Sequence, residues 1–177
     1  MRFQKTSIAG VLLIDLEPRV DERGFFARSY CQEEFRAEGL DIDFVQENTS
    51  LSHKRGTLRG IHYQTAPHAE DKLASCFQGE IFDVAIDMRP SSSTYLKWQG
   101  FKLTAQNRKK LLIPKGIAHG FLTLTDETEV RYQVSSAYAP EAERGIRWDD
   151  PLIGIDWPIA PTTMSDKDAN WPHLQPL

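Results

Sequence analysis

The sequence reads as a mainly β protein, and a jelly roll is the form it favours. Three observations carry that expectation. Short apolar segments recur along the chain, each broken by Gly, Pro, Asn, Asp or Ser. Residues 80–88 alternate with period two, placing Phe82, Val84, Ile86 and Met88 on one face and Asp83, Ala85 and Asp87 on the other. One segment alone, residues 32–38, has the composition of a helix, and Gly39 closes it. About nine or ten short strands with so little helix suit two twisted sheets closing on each other, and a jelly roll can hold a site in the space between them.

In chain order, residues 11–16 form the first expected strand. Phe25, Phe26 and Tyr30 lie in an extended stretch after the Arg23-Gly24 turn, and the helix follows. Phe44-Val45 opens another strand, and residues 57–64 make the next. Residues 73–77, the Gln78-Gly79 turn and residues 80–88 read as a hairpin. Residues 98–103, 110–113, 121–124 and 129–135 complete the set. From Pro140 onward Pro, Trp and Asp dominate, so residues 140–177 are expected to wrap the body as an irregular tail with a short helix. No repeat, linker or low-complexity stretch divides the 177 residues, which read as one domain, 1–177.

A chain of this length buries about 70% of its unfolded surface, enough for a core without metal or disulfide staples. Hydrophobic residues are 40% and charged residues 26%, which excludes disorder and collagen-like repeats. No apolar run approaches the roughly 20 residues of a membrane span. A net charge of −4 with no Lys/Arg block is wrong for general nucleic-acid binding. The two cysteines, Cys31 and Cys76, have neither C-x-x-C nor zinc spacing. Asp15 and Glu17 follow the apolar residues 8–14 at once, with no small-residue cleavage site. That stretch is therefore a strand rather than a signal peptide, and the cytoplasm is the default location.

Several residues have the chemistry of a site. On a regular strand Leu58, Gly60, His62 and Gln64 share one face, with Arg59, Ile61 and Tyr63 on the other unless a bulge intervenes. A histidine beside a residue without bulk, inside a barrel, can be a general base, though a lone histidine is as readily a hydrogen-bonded core residue. Pro114, Gly116 and His119 have the P-x-G-x-x-H spacing that delivers a histidine into a barrel after a turn. In cupins that spacing supplies one metal ligand, but the partner stretch here reads His62-Tyr63-Gln64 and lacks the second histidine, so no metal is expected. Tyr132 is either an amphipathic core residue or a proton donor. Lys72 is either a solvated lysine or, aimed inward, a cation for a developing oxyanion. Ser165-Asp166-Lys167-Asp168 is a polar turn or N-cap, and an aspartate beside a histidine can fix its tautomer. Arg23, Phe25, Phe26, Tyr138 and Arg147 interleave cations with rings, which suits a nucleotide diphosphate.

The strings Asp21-Glu22-Arg23-Gly24-Phe25-Phe26, Leu58-Arg59-Gly60-Ile61-His62-Tyr63-Gln64, Gly79-Glu80-Ile81-Phe82-Asp83-Val84-Ala85 and Ile113-Pro114-Lys115-Gly116-Ile117-Ala118-His119-Gly120-Phe121 stand in this order. Ala139 to Trp148 (APEAERGIRW), Gly154 to Pro158 (GIDWP) and Ser165 to Asp168 (SDKD) follow them. With them the chain strongly resembles the dTDP-4-dehydrorhamnose 3,5-epimerase family from about residue 8 to about residue 172. The resemblance implies a cupin-type jelly roll (a double-stranded β-helix) with a few short helices, acting as a homodimer with no cofactor. The implied substrate is a dTDP-linked 4-keto-6-deoxyhexose, inverted at C3, C5 or both on the way to L-rhamnose or a related deoxysugar. By the family's pattern His62 is the base, Tyr132 the acid, Lys72 the oxyanion cation and Asp168 the partner of His62, with Asp83 the second choice for that role. Arg59 and His119 hold the diphosphate-sugar. Arg23, Phe25, Gln46, Asn48, Glu143 and Lys167 serve the nucleotide or its phosphates, and Tyr138 stacks on the base. Arg28 stands where the family often has Glu, and Gln46-Glu47-Asn48-Thr49 departs from its Q-D-N-H, both in the nucleotide-binding part. A nucleotide-sugar 3,4-ketoisomerase and a non-catalytic sugar-nucleotide binding module are the alternatives.

Overall fold

The computed structural model describes residues 1–175. Strands β1 (Arg2–Lys5) and β2 (Leu12–Asp15) lead into a small hairpin of β3 (Arg19–Asp21) and β4 (Gly24–Phe26). Helix α1 (Gln32–Ala37) follows, then β5 (Gln46–Ser52), β6 (Leu58–Gln64), β7 (Lys72–Gln78) and β8 (Glu80–Asp87). Next come β9 (Trp98–Thr104), β10 (Lys110–Ile113), β11 (Ile117–Thr123) and β12 (Thr128–Val134). The tail holds a single 3-10 turn (Pro140–Ala142), β13 (Glu143–Gly145) and helix α2 (Asp166–Ala169). One sheet has the order β1-β2-β10-β7-β12-β5 and the other β13-β6-β11-β8-β9. The two face each other as a cupin-type jelly roll, the fold the sequence pattern indicated.

Between the sheets lies a core of Ala74, Cys76, Val130 and Leu111 from one side and Ile81, Ala85, Phe101, Ile117 and Phe121 from the other. Burying a side chain of this size contributes about 1.5–3 kcal/mol. Helix α1 covers the outer face of the six-stranded sheet. Phe35 is its one buried residue, packed on Ile14, Leu73 and Leu112 and ringed edge-on by Phe3, Tyr30 and Phe44.

Three expectations change. Residues 73–88 are not a hairpin: β7 pairs with β10 and β12, whereas β8 pairs with β11 and β9. Gly79, at φ +75°, turns the chain from one sheet to the other, and both strands then bury an inward apolar row against each other. The apolar row Phe82, Val84, Ile86 and Met88 faces away from that interior and packs against Ile146, Ile153 and Trp157 of the tail. Both faces of β8 are therefore covered, which is why Asp83 and Asp87 have no exposure at all (0%). The tail, finally, is not wholly irregular, because β13 pairs with β6 and extends the second sheet.

The feature that shapes the site is a bulge in β6. Against β11, His62 pairs with His119 but Arg59 pairs with Phe121, so three steps along β6 match two along β11. The extra residue puts Arg59 and His62 on the same inward face, opposite to simple alternation. Gly60 makes this geometry available: its φ is +107°, and a Cβ there would lie 2.7 Å from Gly120 Cα. Gly60→Ala is expected to destabilise the protein by about 2 kcal/mol, lowering Tm by roughly 4–8 °C. Differential scanning calorimetry checks this, and an unchanged Tm would mean that the bulge does not depend on the missing side chain.

Candidate active site

A cleft of about 640 Å³ opens between the sheets, lined by Arg59 and His62 of β6, Lys72 of β7, His119 of β11, Tyr132 of β12, and Lys167 and Asp168 of α2. It adjoins a second space of about 440 Å³ lined by Gln46 and Asn48 of β5, Glu70, Tyr138 and Glu143, with His62, Lys72, Tyr132 and Lys167 shared. Volumes of this order suit a small ligand. His62 and Tyr132 stand on different sheets and line both spaces.

His62 Nε2 lies 2.6 Å from Asp168 Oδ1. Asp168 is buried, and α2 is the element that presents it: Ser165 caps the helix by accepting the Asp168 backbone N–H at 3.1 Å. Gly60 N–H donates to Asp168 Oδ2 at 3.3 Å, tying the carboxylate to the bulge. Burial opposes ionisation of Asp168, but the hydrogen bond and charge of His62, with those from Gly60 and Ser165, outweigh it and hold the carboxyl below its usual range. An ionised Asp168 keeps the proton on Nε2 and leaves the Nδ1 lone pair available as a base. Glu143 Oε1 is 3.8 Å from Nδ1. Glu143 is itself held by Lys167 Nζ at 3.0 Å and by the Tyr138 hydroxyl at 3.0 Å. Burial raises the Glu143 pKa, yet these two hydrogen bonds and the charge of His62 bring it below the usual value.

On the facing sheet, burial pushes the Tyr132 phenol above its ordinary pKa; Glu70 adds to the rise and Arg59 opposes it. The phenol therefore keeps its proton through the neutral range. Lys72 Nζ pairs with Glu70 Oε1 at 3.0 Å. Arg59 is oriented by Ser52 Oγ and Leu51 O, which accept from its guanidinium at 3.1 Å each. His119 Nε2 lies 2.8 Å from Asp83 Oδ1, but at angles that make no hydrogen bond, and Asp83 is wholly buried. Asp83 thus neighbours His119, and the carboxylate in contact with His62 is that of Asp168. No group of three or more His, Cys, Asp or Glu side chains is placed to hold a metal ion among the described residues.

Eleven of the thirteen candidate residues, excluding only Arg23 and Phe25, therefore line one continuous space. Arg23 sits exposed on the β3–β4 hairpin, paired with Asp21 at 2.6 Å, and Phe25 lies beneath the Arg108 guanidinium at 4.0 Å. Sequence reasoning missed Glu70, although a Glu two residues before Lys72 at a strand start points the same way. It also missed Trp171, whose ring packs over Gly145 with its centroid 6.1 Å from that of His62. Trp171 lies in the irregular tail, where no periodicity signals a contact.

An imidazole in contact with a carboxylate on one wall, and a protonated phenol with a lysine diagonal to it on the other, give this jelly roll the groups of an acid–base isomerase. The sequence model of the dTDP-4-dehydrorhamnose 3,5-epimerase family matches residues 5–176, and the chain belongs to that family. A dTDP-4-dehydrorhamnose 3,5-epimerase of Shigella flexneri is 49% identical over 173 residues, covering 96% of this chain and 94% of its own. The crystal structure of the Bacillus anthracis dTDP-4-dehydrorhamnose 3,5-epimerase with TDP and pyrophosphate bound superposes with a TM-score of 0.94 at 39% identity, over 98% of this chain and 99% of that one. A Legionella pneumophila dTDP-6-deoxy-D-glucose 3,5-epimerase in complex with dTDP-4-keto-L-rhamnose gives a TM-score of 0.89 at 39% identity, over 95% and 89% of the two chains.

Because the Asp168 pKa is depressed in the folded state, Asp168 stabilises the protein above the ordinary aspartate pKa of about 3.9, and that contribution is lost as pH falls through the folded value. Asp168→Asn removes it at every pH. The stability gap between wild type and Asp168→Asn is expected to be widest near pH 7 and to close as the solution is acidified toward pH 3, read by urea denaturation. A gap that does not change with pH would contradict the ionised state of Asp168.

Proposed function

We propose that the chain is a single-domain epimerase that inverts C3, C5 or both of a dTDP-linked 4-keto-6-deoxyhexose, in L-rhamnose or related deoxysugar synthesis. The observation that carries the reading is the 2.6 Å contact between His62 of one sheet and Asp168 of α2, across a shared cleft from Tyr132 of the other sheet. Both carbons flank the C4 ketone, so a C–H bond there breaks to leave its electron pair in an enolate. His62 Nδ1 takes the proton, and Asp168 stabilises the imidazolium that forms. Lys72 neutralises the enolate oxygen, and one such preorganised donor is worth about 3–4 kcal/mol. Tyr132 then gives its proton to the opposite face of the same carbon, which restores the ketone with inverted configuration. Solvent exchange returns a proton to the phenolate and removes one from the imidazolium.

In this reading Arg59 and His119 hold the diphosphate-sugar, and Lys167 the phosphates. Gln46, Asn48, Glu143 and Tyr138 line the adjoining space for the nucleotide, and the exposed Tyr138 ring is free to stack on a base. A homodimer accounts for Arg23 and Phe25, which do not reach the cleft of their own protomer. The hairpin that carries them exposes large apolar side chains, Val20 at 76% and Phe26 at 73%, the kind of surface a second copy covers. A cytoplasmic setting agrees with two free cysteines.

In D2O the protein is expected to incorporate deuterium at the carbons flanking the ketone of dTDP-4-keto-6-deoxyglucose, with inversion seen by NMR. His62→Ala should lose exchange by at least about 100-fold. Tyr132→Phe should lose inversion far more than exchange, because deprotonation survives and delivery to the opposite face does not. Turnover without exchange in the wild type, or full activity in His62→Ala, would overturn the mechanism.

A further inference from the structure

Glu70 enters the second space, where it adjoins the cleft, from the segment just before β7. Its carboxylate is 3.0 Å from Lys72 Nζ, and both side chains are nearly enclosed, 10% and 13% exposed. Both share the lining of that space with Tyr132, and Lys72 and Tyr132 line the cleft as well. Lys72 pairs with Val134 across the β7–β12 ladder, which puts it diagonal to Tyr132 on the same inward face. Burying two opposite charges is weak evidence for stability, since the loss of hydration offsets much of their attraction. A pair kept beside a reacting site therefore asks for a reason other than folding.

We propose that Glu70 is a positioning residue of the reaction, clamping the Lys72 ammonium at the sugar end of the cleft and holding an anion against Tyr132. This rests on the epimerase reading for the tasks of Lys72 and Tyr132. A lysine ammonium sits on a flexible four-carbon stem and has no fixed direction of its own. The substrate's diphosphate would compete for it, and Arg59 and Lys167 in the same cleft leave that anion other cations. Glu70 supplies the partner that keeps Lys72 beside the ketone. The same carboxylate favours the neutral phenol: after burial, Glu70 is the next cause holding the Tyr132 proton on.

The charges around Tyr132 come from every wall. Glu70 and Lys72 face it from the β7 side, Arg59 and His62 from β6, and His119 from β11. Glu143, Lys167 and Asp168 complete the ring from the tail. Of these, Glu70 and Arg59 act on the phenol in opposite directions, so removing Glu70 leaves the cationic influence unopposed.

The test compares wild type with Glu70→Gln, which keeps an acceptor and removes the charge, and Glu70→Asp, which keeps the charge. In ligand-free protein labelled with 13Cζ-tyrosine, the Tyr132 resonance is assigned by its loss in Tyr132→Phe and titrated by NMR. Its midpoint is expected to fall by about half to one pH unit in Glu70→Gln and to stay near wild type in Glu70→Asp. With substrate, Glu70→Gln should lose about tenfold in kcat with KM within about twofold, the mark of a misplaced group rather than weaker binding. A Tyr132 midpoint that does not move in Glu70→Gln, or a loss confined to KM, would overturn the proposal. The titration needs no substrate, so a wild type that fails to exchange deuterium would sink the epimerase reading while the clamp is judged on the midpoint alone.

Discussion

The contact between His62 and Asp168 joins residues 106 positions apart in the chain, and the site depends on it. His62 comes from an inner strand of a sheet and Asp168 from a four-residue helix in the tail. Helix α2 is too short to persist by itself. It is held by the Ser165 cap, by the Gly60 N–H and by the imidazole. The chemistry and the docking of the tail are thus one interaction seen from two sides. A tail that came away would take from His62 the carboxylate that sets its tautomer and stabilises its charged form.

The two-sheet architecture does the remaining work. An epimerase has to reach both faces of one carbon, and groups on a single wall reach only one. In a jelly roll the walls are built by different strands, so the His62 imidazole on β6 and the Tyr132 phenol on β12 stand on opposite walls. The bulge at Gly60 adds Arg59 to the same wall as His62, and so a guanidinium and an imidazole share a face that simple alternation would have denied them. Electrostatics keeps the two walls distinct. One carries an imidazole tied to an ionised carboxylate, and the other a phenol whose burial keeps it neutral.

Much of this was legible in the residues. The short strands, the single early helix and the turn before His119 follow from local composition, and those rules hold where a segment's own pattern decides its state. What escaped was set by distant contacts. Residues 73–88 look like a hairpin because Gln78-Gly79 is a good turn, yet which sheet each strand joins depends on β9 to β12, which come later in the chain. Period two in β8 marks one apolar face but not that the tail will cover it. Glu143 to Gly145 is too short to register as a strand until β6 lies beside it. Motif resemblance named His62, Tyr132, Lys72 and Asp168, whereas Glu70 and Trp171 became visible only when their neighbours were in place.

The central claim is that a sugar ring lies between His62 and Tyr132. A crystal structure of the protein with an unreactive dTDP-linked hexose tests it most directly. The ring is expected between the two side chains, with His62 Nδ1 and the Tyr132 hydroxyl on opposite faces, each within about 3–3.5 Å of the ring carbon beside C4 that it serves, and Lys72 Nζ at the C4 oxygen. A ring bound outside the inter-sheet cleft, or with both groups on one face, would contradict it.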